Sequence, residues 1–599
     1  MTGVDQHRVG DTVVNGPSRP AGKTSMDARI GHHHTREWLA LTTLCVSLLV
    51  VSLDTTVLNV ALPTLVRDLH MSSSGLEWVV DAYMVVFAGL LLTAGDLGDR
   101  LGRKRVLFAG MAVFGGGSAL SAFSGNTGEL IAARSLMGIG GALIMPATLS
   151  ILTNVFVEPR ERAKAIGIWS GTSGLGVALG PIVGGWLLER FWWGSVFLVN
   201  VPIVVLGILA GIWLLPESRD PGAKRVDVLG SILSIAGLGT LVYSIIEAPN
   251  HGWLSMESIA TFALGTVLTV AFVIWELHSD HPMLNVHFFR RARFSSASVA
   301  VALAIFALSG ALFVLTQYLQ FVRGYTALQT GLEIAPIALV LAAASAVSTF
   351  IERRTGTKAI VAVGLAIVAG GLFELSQVTT SSSYTSVLAA MLVMGLGLGI
   401  AMAPATESIM GSLPRERAGV GSATNSTVMQ VGGALGVAIL GSALSTKYTA
   451  HIGALLASYG RHVPAQVVHA IRSSLGGALA VAHKVGGAGG AALAHAARGG
   501  FVSGMDLALA LGAAVTLAGV VVALVFLPSR PPDETDVQDA SPPGVASRIY
   551  RQEPDGVVPA RSSTPGSTTK LEATELEAQG SAPVLEAPGP VGTVASNRR

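Results

Sequence analysis

Residues 100–110 read RLGRKRVLFAG, and residues 354–364 read RTGTKAIVAVG. Both are Arg-x-Gly-x-Lys-x5-Gly, 254 residues apart. A second pair keeps step with the first: Pro159-Arg-Glu-Arg-Ala163 returns as Pro414-Arg-Glu-Arg-Ala418 at an offset of 255. Pro-Ala-Thr precedes each copy, at 146–148 and at 404–406. Agreement in both order and spacing marks an internal duplication.

Hydropathy says what is duplicated. Hydrophobic residues make up 51% of the chain and charged residues 13%, against roughly 25% charged in soluble domains; mean hydropathy is +0.59. Apolar runs of about 20 residues can cross a bilayer. Fourteen such runs occur, near 38–62, 78–97, 106–123, 130–155, 165–188, 196–215, 228–246, 258–277, 295–319, 332–350, 358–378, 386–411, 418–443 and 502–527. The offset maps span 3 onto span 11 and span 5 onto span 13, so each unit holds six spans and spans 7 and 8 lie between. The expected fold is all-α and membrane-integral, with two six-helix bundles plus two extra helices. Its expected divisions are a cytoplasmic segment 1–37, a bundle 38–216, linker spans 217–294, a bundle 295–527 with a long outer loop 444–501, and a disordered cytoplasmic tail 528–599. Two parallel six-helix halves are an architecture of transporters that rock around a midplane site.

Charge sets the orientation. With the N-terminus inside, the six short inner loops hold eighteen basic residues, from Arg100, Arg103, Lys104 and Arg105 to Arg415 and Arg417, while the six short outer loops hold only Arg67, Arg190 and Arg323. That asymmetry fits fourteen spans with both termini cytoplasmic, in a cell membrane. No cleavable signal peptide is expected, because residues 1–37 are polar and the first apolar run is too long for one. Cys45, the single cysteine, excludes an intramolecular disulfide. The outer loop's histidines (His451, His462, His469, His483, His495) have no recurring ligand spacing, and His32–His34 reads as an interfacial polar cluster.

Several further stretches carry a resemblance. Gly95-Asp-Leu-Gly-Asp99-Arg-Leu-Gly102-Arg-Lys-Arg105 resembles the major facilitator signature between spans 2 and 3. Leu53-Asp-Thr-Thr-Val-Leu-Asn-Val-Ala-Leu-Pro63, Leu130-x3-Arg134-x3-Gly138-x-Gly140-Gly-Ala142 and Gly176-x3-Gly180-Pro181-x2-Gly184-Gly185 are similar to the first-, fourth- and fifth-span motifs of drug:proton antiporters. Trp78-Val-Val-Asp81-Ala-Tyr83 and Asn200-Val-Pro202 add matches. Together they resemble the fourteen-span drug:proton antiporters of the major facilitator superfamily, over about residues 38–527. One departure stands out: where that family has an aromatic-Arg-aromatic triplet before span 6, this chain has Trp193-Gly-Ser195.

The glycine ladder Gly176, Gly180 and Gly184, with Pro181 among them, offers a smooth groove for close helix packing. The related set Gly432, Gly433 and Gly436 lies in span 13. The resemblance implies that this face closes against the other half, sealing the cytoplasmic side when the outer side opens. Asp54 lies well inside span 1, where a charge costs at least about 2.5–3.5 kcal/mol. A carboxylate alternating between a desolvated setting and a nearby cation can take up and release a proton. Asp54 is therefore the first proton-coupling candidate, Arg134 its candidate cation, and the alternative is a fixed structural ion pair. Glu374, expected in the outer half of span 11, is a further proton candidate, while Glu333 and Glu407 read as solvated helix ends. Asp99, Arg100 and Arg103 anchor the inner edge; the resemblance implies that Asp99 latches the halves together in the outward-open state, near the positive end of span 11's helix dipole. Asp81, Tyr83 and Phe313 are candidates for a substrate cavity, although Tyr83, Trp169, Phe313 and Tyr318 also suit an interfacial aromatic belt.

The expectation is a proton-coupled exporter of amphiphilic drugs or antibiotics. A nutrient importer (Pro216-Glu-Ser-Arg219 resembles a sugar-porter signature) and a membrane sensor remain as alternatives. No phosphate-binding GxxxxGK[ST] loop is present, and no nucleophile–base or metal-ligand set suggests an enzyme. The expected partners are the bilayer, a small amphiphile and protons, with no cofactor, no metal, no nucleic acid and no obligatory protein.

Overall fold

Fourteen helices among the described residues are long and apolar enough to cross a membrane. The computed structural model describes residues 23–220, 226–413, 418–458 and 464–529, all within the unit Met1–Ala540. Numbered by span, the helices are α1 Arg36–Leu69, α2 Ser73–Leu101, α3 Arg103–Ala122, α4 Thr127–Val155, α5 Pro159–Arg190, α6 Ser195–Leu214, α7 Val228–His251, α8 Met256–His278, α9 Ala292–Val322, α10 Ala327–Thr355, α11 Thr357–Ser376, α12 Tyr384–Gly411, α13 Gly421–Ala457 and α14 Gly487–Phe526. The tail beyond residue 529, the first 22 residues, Lys224, Arg225, the repeated Pro414-Arg-Glu-Arg and His462 lie outside the described residues.

Polar residues placed at helix starts satisfy amide groups that the helix itself leaves unpaired. Ser72, Asn126 and Asp227 accept from Gly75, Glu129 and Gly230 at the starts of α2, α4 and α7. Thr326 and Gln329 cap α10 reciprocally. The expected loop 444–501 is largely helical: α13 and α14 extend into it, and Ala465–Ser473 and Leu475–Val485 fill the gap.

Packing repeats as the sequence does. Within the first half α1 lies on α5, α2 and α3 on α4, and α3 on α6; within the second, α9 lies on α13, α10 and α11 on α12, and α11 on α14. The halves meet through α5 against α10 and α2 against α13, which are the same contact with the two halves exchanged. The extra helices α7 and α8 pack on each other, and α7 also touches α2 and α13. Even the duplicated loop repeats its backbone: Gly102 has φ 107° and Gly356 has φ 82°, a region that disfavours side chains. Gly102 is pressed by Glu217 just past α6, and Gly356 by the Ser529 carbonyl just past α14.

The glycine ladder faces the other way from its expected partner. Gly176, Gly180 and Gly184 pack against Ser52, Thr56 and Val57 of α1, within their own half. At 100° per residue they lie across the helix from Gly185 and Pro181, and those two meet the second half: Gly185 abuts Ala327 and Leu328, and the Pro181 carbonyl abuts Gly331. The second half does the same, Gly432 and Gly436 packing on Ala302 and Phe306 of α9 while Gly433 meets Met84 of α2. In this conformation the ladder fastens α5 to α1, and the contacts with the other half run along its neighbours Pro181 and Gly185. The missing arginine before α6 also has a local cause: Gly194 lies against the Ala122 carbonyl and the Trp192 indole, leaving no room for a side chain.

Contacts between the halves gather at the end away from the basic loops, here the distal end. Gln320 donates to the Val60 carbonyl at 2.8 Å, Leu328 N–H donates to Glu189 at 3.4 Å, and Ser442 lies 3.2 Å from Glu77. At the basic end the same face of α5 is bare. A Cβ added at Gly167, Gly171 or Gly174 would meet no atom within 4 Å among the described residues.

Candidate functional site

Five helices converge on Asp54. It is buried in α1, and Arg134 of α4 donates Nη1–H to its Oδ2 at 2.5 Å, with 2% and 1% of the two side chains exposed. Asn200, the first residue of the main segment of α6, donates to Asp54 Oδ1 at 3.3 Å and to Ser118 Oγ of α3 at 3.0 Å. Ser118 in turn donates to the Phe197 carbonyl at 2.8 Å.

Arg134 is held on every side. Its Nε–H donates to the Val79 carbonyl of α2 at 3.1 Å, and its guanidinium carbon lies 4.5 Å from the Tyr83 ring centroid and 5.9 Å from that of Phe197. A planar guanidinium can make these contacts together, where a lysine ammonium could not. Glycines clear the space: Gly138 and Gly141 of α4 lie against Tyr83 and Phe87 of α2, too close for a Cβ. Burying two charges is tolerable only when they pair and their remaining groups are bonded, and that condition is met. As a unit the pair is neutral; adding one proton to Asp54 would make it cationic.

The other candidates are distributed as follows. Asp99 pairs with Arg103 of its own loop at 2.7 Å, and Arg100 is exposed. In this conformation the loop is bolted to the end of α6. Arg103 N–H donates to the Ser218 carbonyl, Lys104 N–H to Glu217, and the Lys104 ammonium to the Ile212 and Leu215 carbonyls, both at 2.9 Å. Glu374 lies in the distal half of α11, as expected, but it is exposed, two residues from the helix end.

The cavity candidates are corrected too. Tyr83 lies beneath Arg134 and belongs to the Asp54 site, while Phe313 is sealed in the core of α9. Trp169 and Tyr318 are also buried, the latter donating to the Thr379 carbonyl, so none of the four forms a lipid-facing belt. Asp81 is wholly buried, and neither carboxylate oxygen has a hydrogen-bond partner among the described residues. Two contributors escaped the sequence reading. Asn200 was visible only as part of a motif with no role attached. Glu77, buried one turn before Asp81, sits near a helix start, where an acid is ordinary.

Comparison with known proteins covers most of the chain. Residues 44–437 match the family model of the Major Facilitator Superfamily. The multidrug efflux pump LfrA of Mycolicibacterium smegmatis is 36% identical over 492 residues, covering 82% of this chain and 96% of that one. The tetracenomycin C resistance and export protein of Streptomyces glaucescens is 31% identical over 520 residues (86% and 96%), and the methyl viologen resistance protein SmvA of Salmonella typhimurium 33% over 485 (80% and 96%). Among solved structures, a bacterial homologue of the human lysosomal transporter Spinster, inward-facing and unoccupied, aligns with TM-score 0.59 at 19% identity, covering 82% of this chain and 99% of that one.

Proposed function

The chain belongs to the Major Facilitator Superfamily, and from that premise we propose that it exports amphiphilic drugs or antibiotics from the cytoplasm in exchange for protons. It is a multi-pass membrane protein with fourteen spans. The excess of basic residues in alternate loops supports placing the basic end and both termini in the cytoplasm. The conformation is then inward-open, since the distal contacts close the outer side while the α5 face at Gly167, Gly171 and Gly174 stands clear.

The observation that carries the proton reading is the Asp54–Arg134 pair. In the inward-open state the pair is unprotonated and neutral, as suits a carrier that has given its proton to the cytoplasm and awaits cargo. Cargo enters from the cytoplasm, the inner ends close and the outer ends part. A proton from outside then goes to Asp54, and its bond to Arg134 is lost. The guanidinium stays over Tyr83 and against the Val79 carbonyl, so the added charge does not unseat the helix. Return to the inward-open state releases the proton and re-forms the pair. Each inward proton supplies roughly 2.3 kcal/mol per 100 mV, and the cycle needs no cofactor, nucleotide or obligatory partner chain.

The deciding experiment is ethidium accumulation in a pump-deficient bacterial host. Wild type is expected to lower accumulation, and either an uncoupler or Asp54→Asn at equal expression to abolish that. Efflux that persists in the Asp54→Asn protein would remove Asp54 from the coupling role. No change from the wild type would exclude export of this cation.

A further inference from the structure

At the outer end of the seam between the halves, the structure holds two acids that the Asp54 mechanism does not use. Glu77 and Asp81 stand one turn apart on α2, with 1% and 0% of their surface exposed. Further along that face, Met84 lies against Gly433 of α13, so this face of α2 looks into the other half. Opposite Glu77, α13 is hollowed by Gly441, where a Cβ would lie 2.6 Å from the Glu77 carboxyl carbon.

Ser442 Oγ is placed to donate both to Glu77 and to the Ile245 carbonyl. The Ser442 hydroxyl lies 2.8 Å from the Ile245 carbonyl of α7 and 3.2 Å from Glu77 Oε2. A carbonyl only accepts, and a hydroxyl has one proton. If the Ser442 proton goes to Ile245, the closer oxygen, the contact with Glu77 is satisfied when Glu77 is a carboxylic acid donating to Ser442 Oγ. Asp81 gives a parallel indication: both its oxygens are buried without a partner, a setting that tolerates a neutral acid far better than a carboxylate.

The charged groups nearby do not change this. On α2 itself, Glu77 and Asp81 face each other, and α7 contributes Glu247, a third acid. The seam face of α13 offers Ser442 and Gly441, neither of them charged. On α4, Arg134 is committed to Asp54 and Val79. Among the described residues, no Lys, Arg or His pairs with Glu77 or Asp81.

We propose that Glu77 and Asp81 form a second proton-binding site, built into the α2–α13 seam, that must be loaded from the outer side before that side can close. When α2 and α13 part, both carboxyls meet external water and ionise. Returned to the seam as carboxylates, they would face each other and Glu247 with no donor for Asp81. Closure therefore takes up protons, and acid favours the inward-open form. The proposal rests on the orientation given above, but not on export itself, and its test reads opening alone.

The test is labelling of a thiol placed in the seam. Purified full-length protein carrying Cys45→Ser and Val437→Cys, with Asp54→Asn to silence the first site, is exposed to a hydrophilic maleimide between pH 5.5 and 8.5. Val437 is buried in α13, so reaction requires an open seam. Because maleimide attacks the thiolate, each rate is divided by that of a small free thiol at the same pH; the normalised rate is expected to rise with pH, by up to about tenfold per pH unit for each acid that ionises. Adding Glu77→Gln should reduce that slope, and Glu77→Gln with Asp81→Asn should leave a normalised rate that is slow and flat across the range. A double variant that keeps the full pH response, in protein that elutes as a single species, overturns the proposal. Ser442→Ala, which removes Glu77's acceptor, guards against a folding failure in the acid variants: it is expected to move the midpoint to lower pH, and an unchanged midpoint counts against the site. Failure of ethidium export with this labelling pattern intact would refute the transport reading alone.

Discussion

Gly171 and Gly185 lie on one face of α5, about four turns apart, and only Gly185 touches the other half. An added Cβ at Gly185 would sit 2.6 Å from the Ala327 carbonyl oxygen, whereas at Gly171 it would meet nothing within 4 Å. Ala335, Ala338 and Ala342 continue the Gly331 face of α10 toward the basic end, so two rows of small residues meet at one end and diverge toward the other. If the diverged ends must touch to complete the cycle, Gly171→Leu should leave unfolding within about 0.5 kcal/mol of wild type and stop ethidium export. Normal export by that variant would mean the inner ends never close along this face.

Gly180 makes the opposite case. Its missing side chain admits Thr56 and the Leu53 carbonyl of α1, so Gly180→Val should push α5 off α1 at a cost of about 1–3 kcal/mol. Thermal unfolding in detergent reads this directly, and the loss should appear with or without substrate.

For the central pair, the two halves of the ion pair are not equivalent to their amide or alanine versions. Asp54→Ala leaves Arg134 buried without its anion and should destabilise the protein by about 3–5 kcal/mol. Asp54→Asn retains an acceptor for Arg134 and should lose much less, while export is lost in both. Arg134→Lys should export poorly, because an ammonium cannot bond Asp54 and Val79 and also cover Tyr83 as a plane. Unfolding curves and ethidium export, taken on the same preparations, separate the two effects.

Asn200→Leu keeps the branching and heavy-atom count of the side chain and removes the donor shared by Asp54 and Ser118. The expected loss is about 1–3 kcal/mol, the range for buried polar groups left unpaired. Ser118→Ala removes the outer partner only, and its effect should be smaller.

Fourteen apolar runs, a duplicated loop and a charge in mid-span were legible because each is a strong chemical anomaly or a long periodic signal. Asp54 and Arg134 could be matched by depth alone, and the structure joins them. The rotation of one helix against its neighbours was not legible. Gly176, Gly180 and Gly184 look like a surface for the other half, yet they dock on α1, because sequence spacing fixes which residues share a face and not what that face meets. Glu374 was placed in the correct half of its helix, but position along an apolar run does not tell whether a side chain is covered, and this one is exposed. Asp81 was read as lining open space, although it is buried in the seam; an isolated acid gives no sign of which helix covers it.

One feature of the α2–α3 loop reaches further than its position suggests. Lys104 grips the final carbonyls of α6, and the opening of its main segment carries Asn200. An α-helix rises about 1.5 Å per residue, so the main segment of α6 is a rod about 20 Å long between a surface clamp and the buried Asp54. Any shift that tightens or slackens the loop arrives at Asp54 Oδ1 as a change in the reach of one amide. The sequence signature at the membrane edge is in that sense the remote handle of the chemistry in the middle.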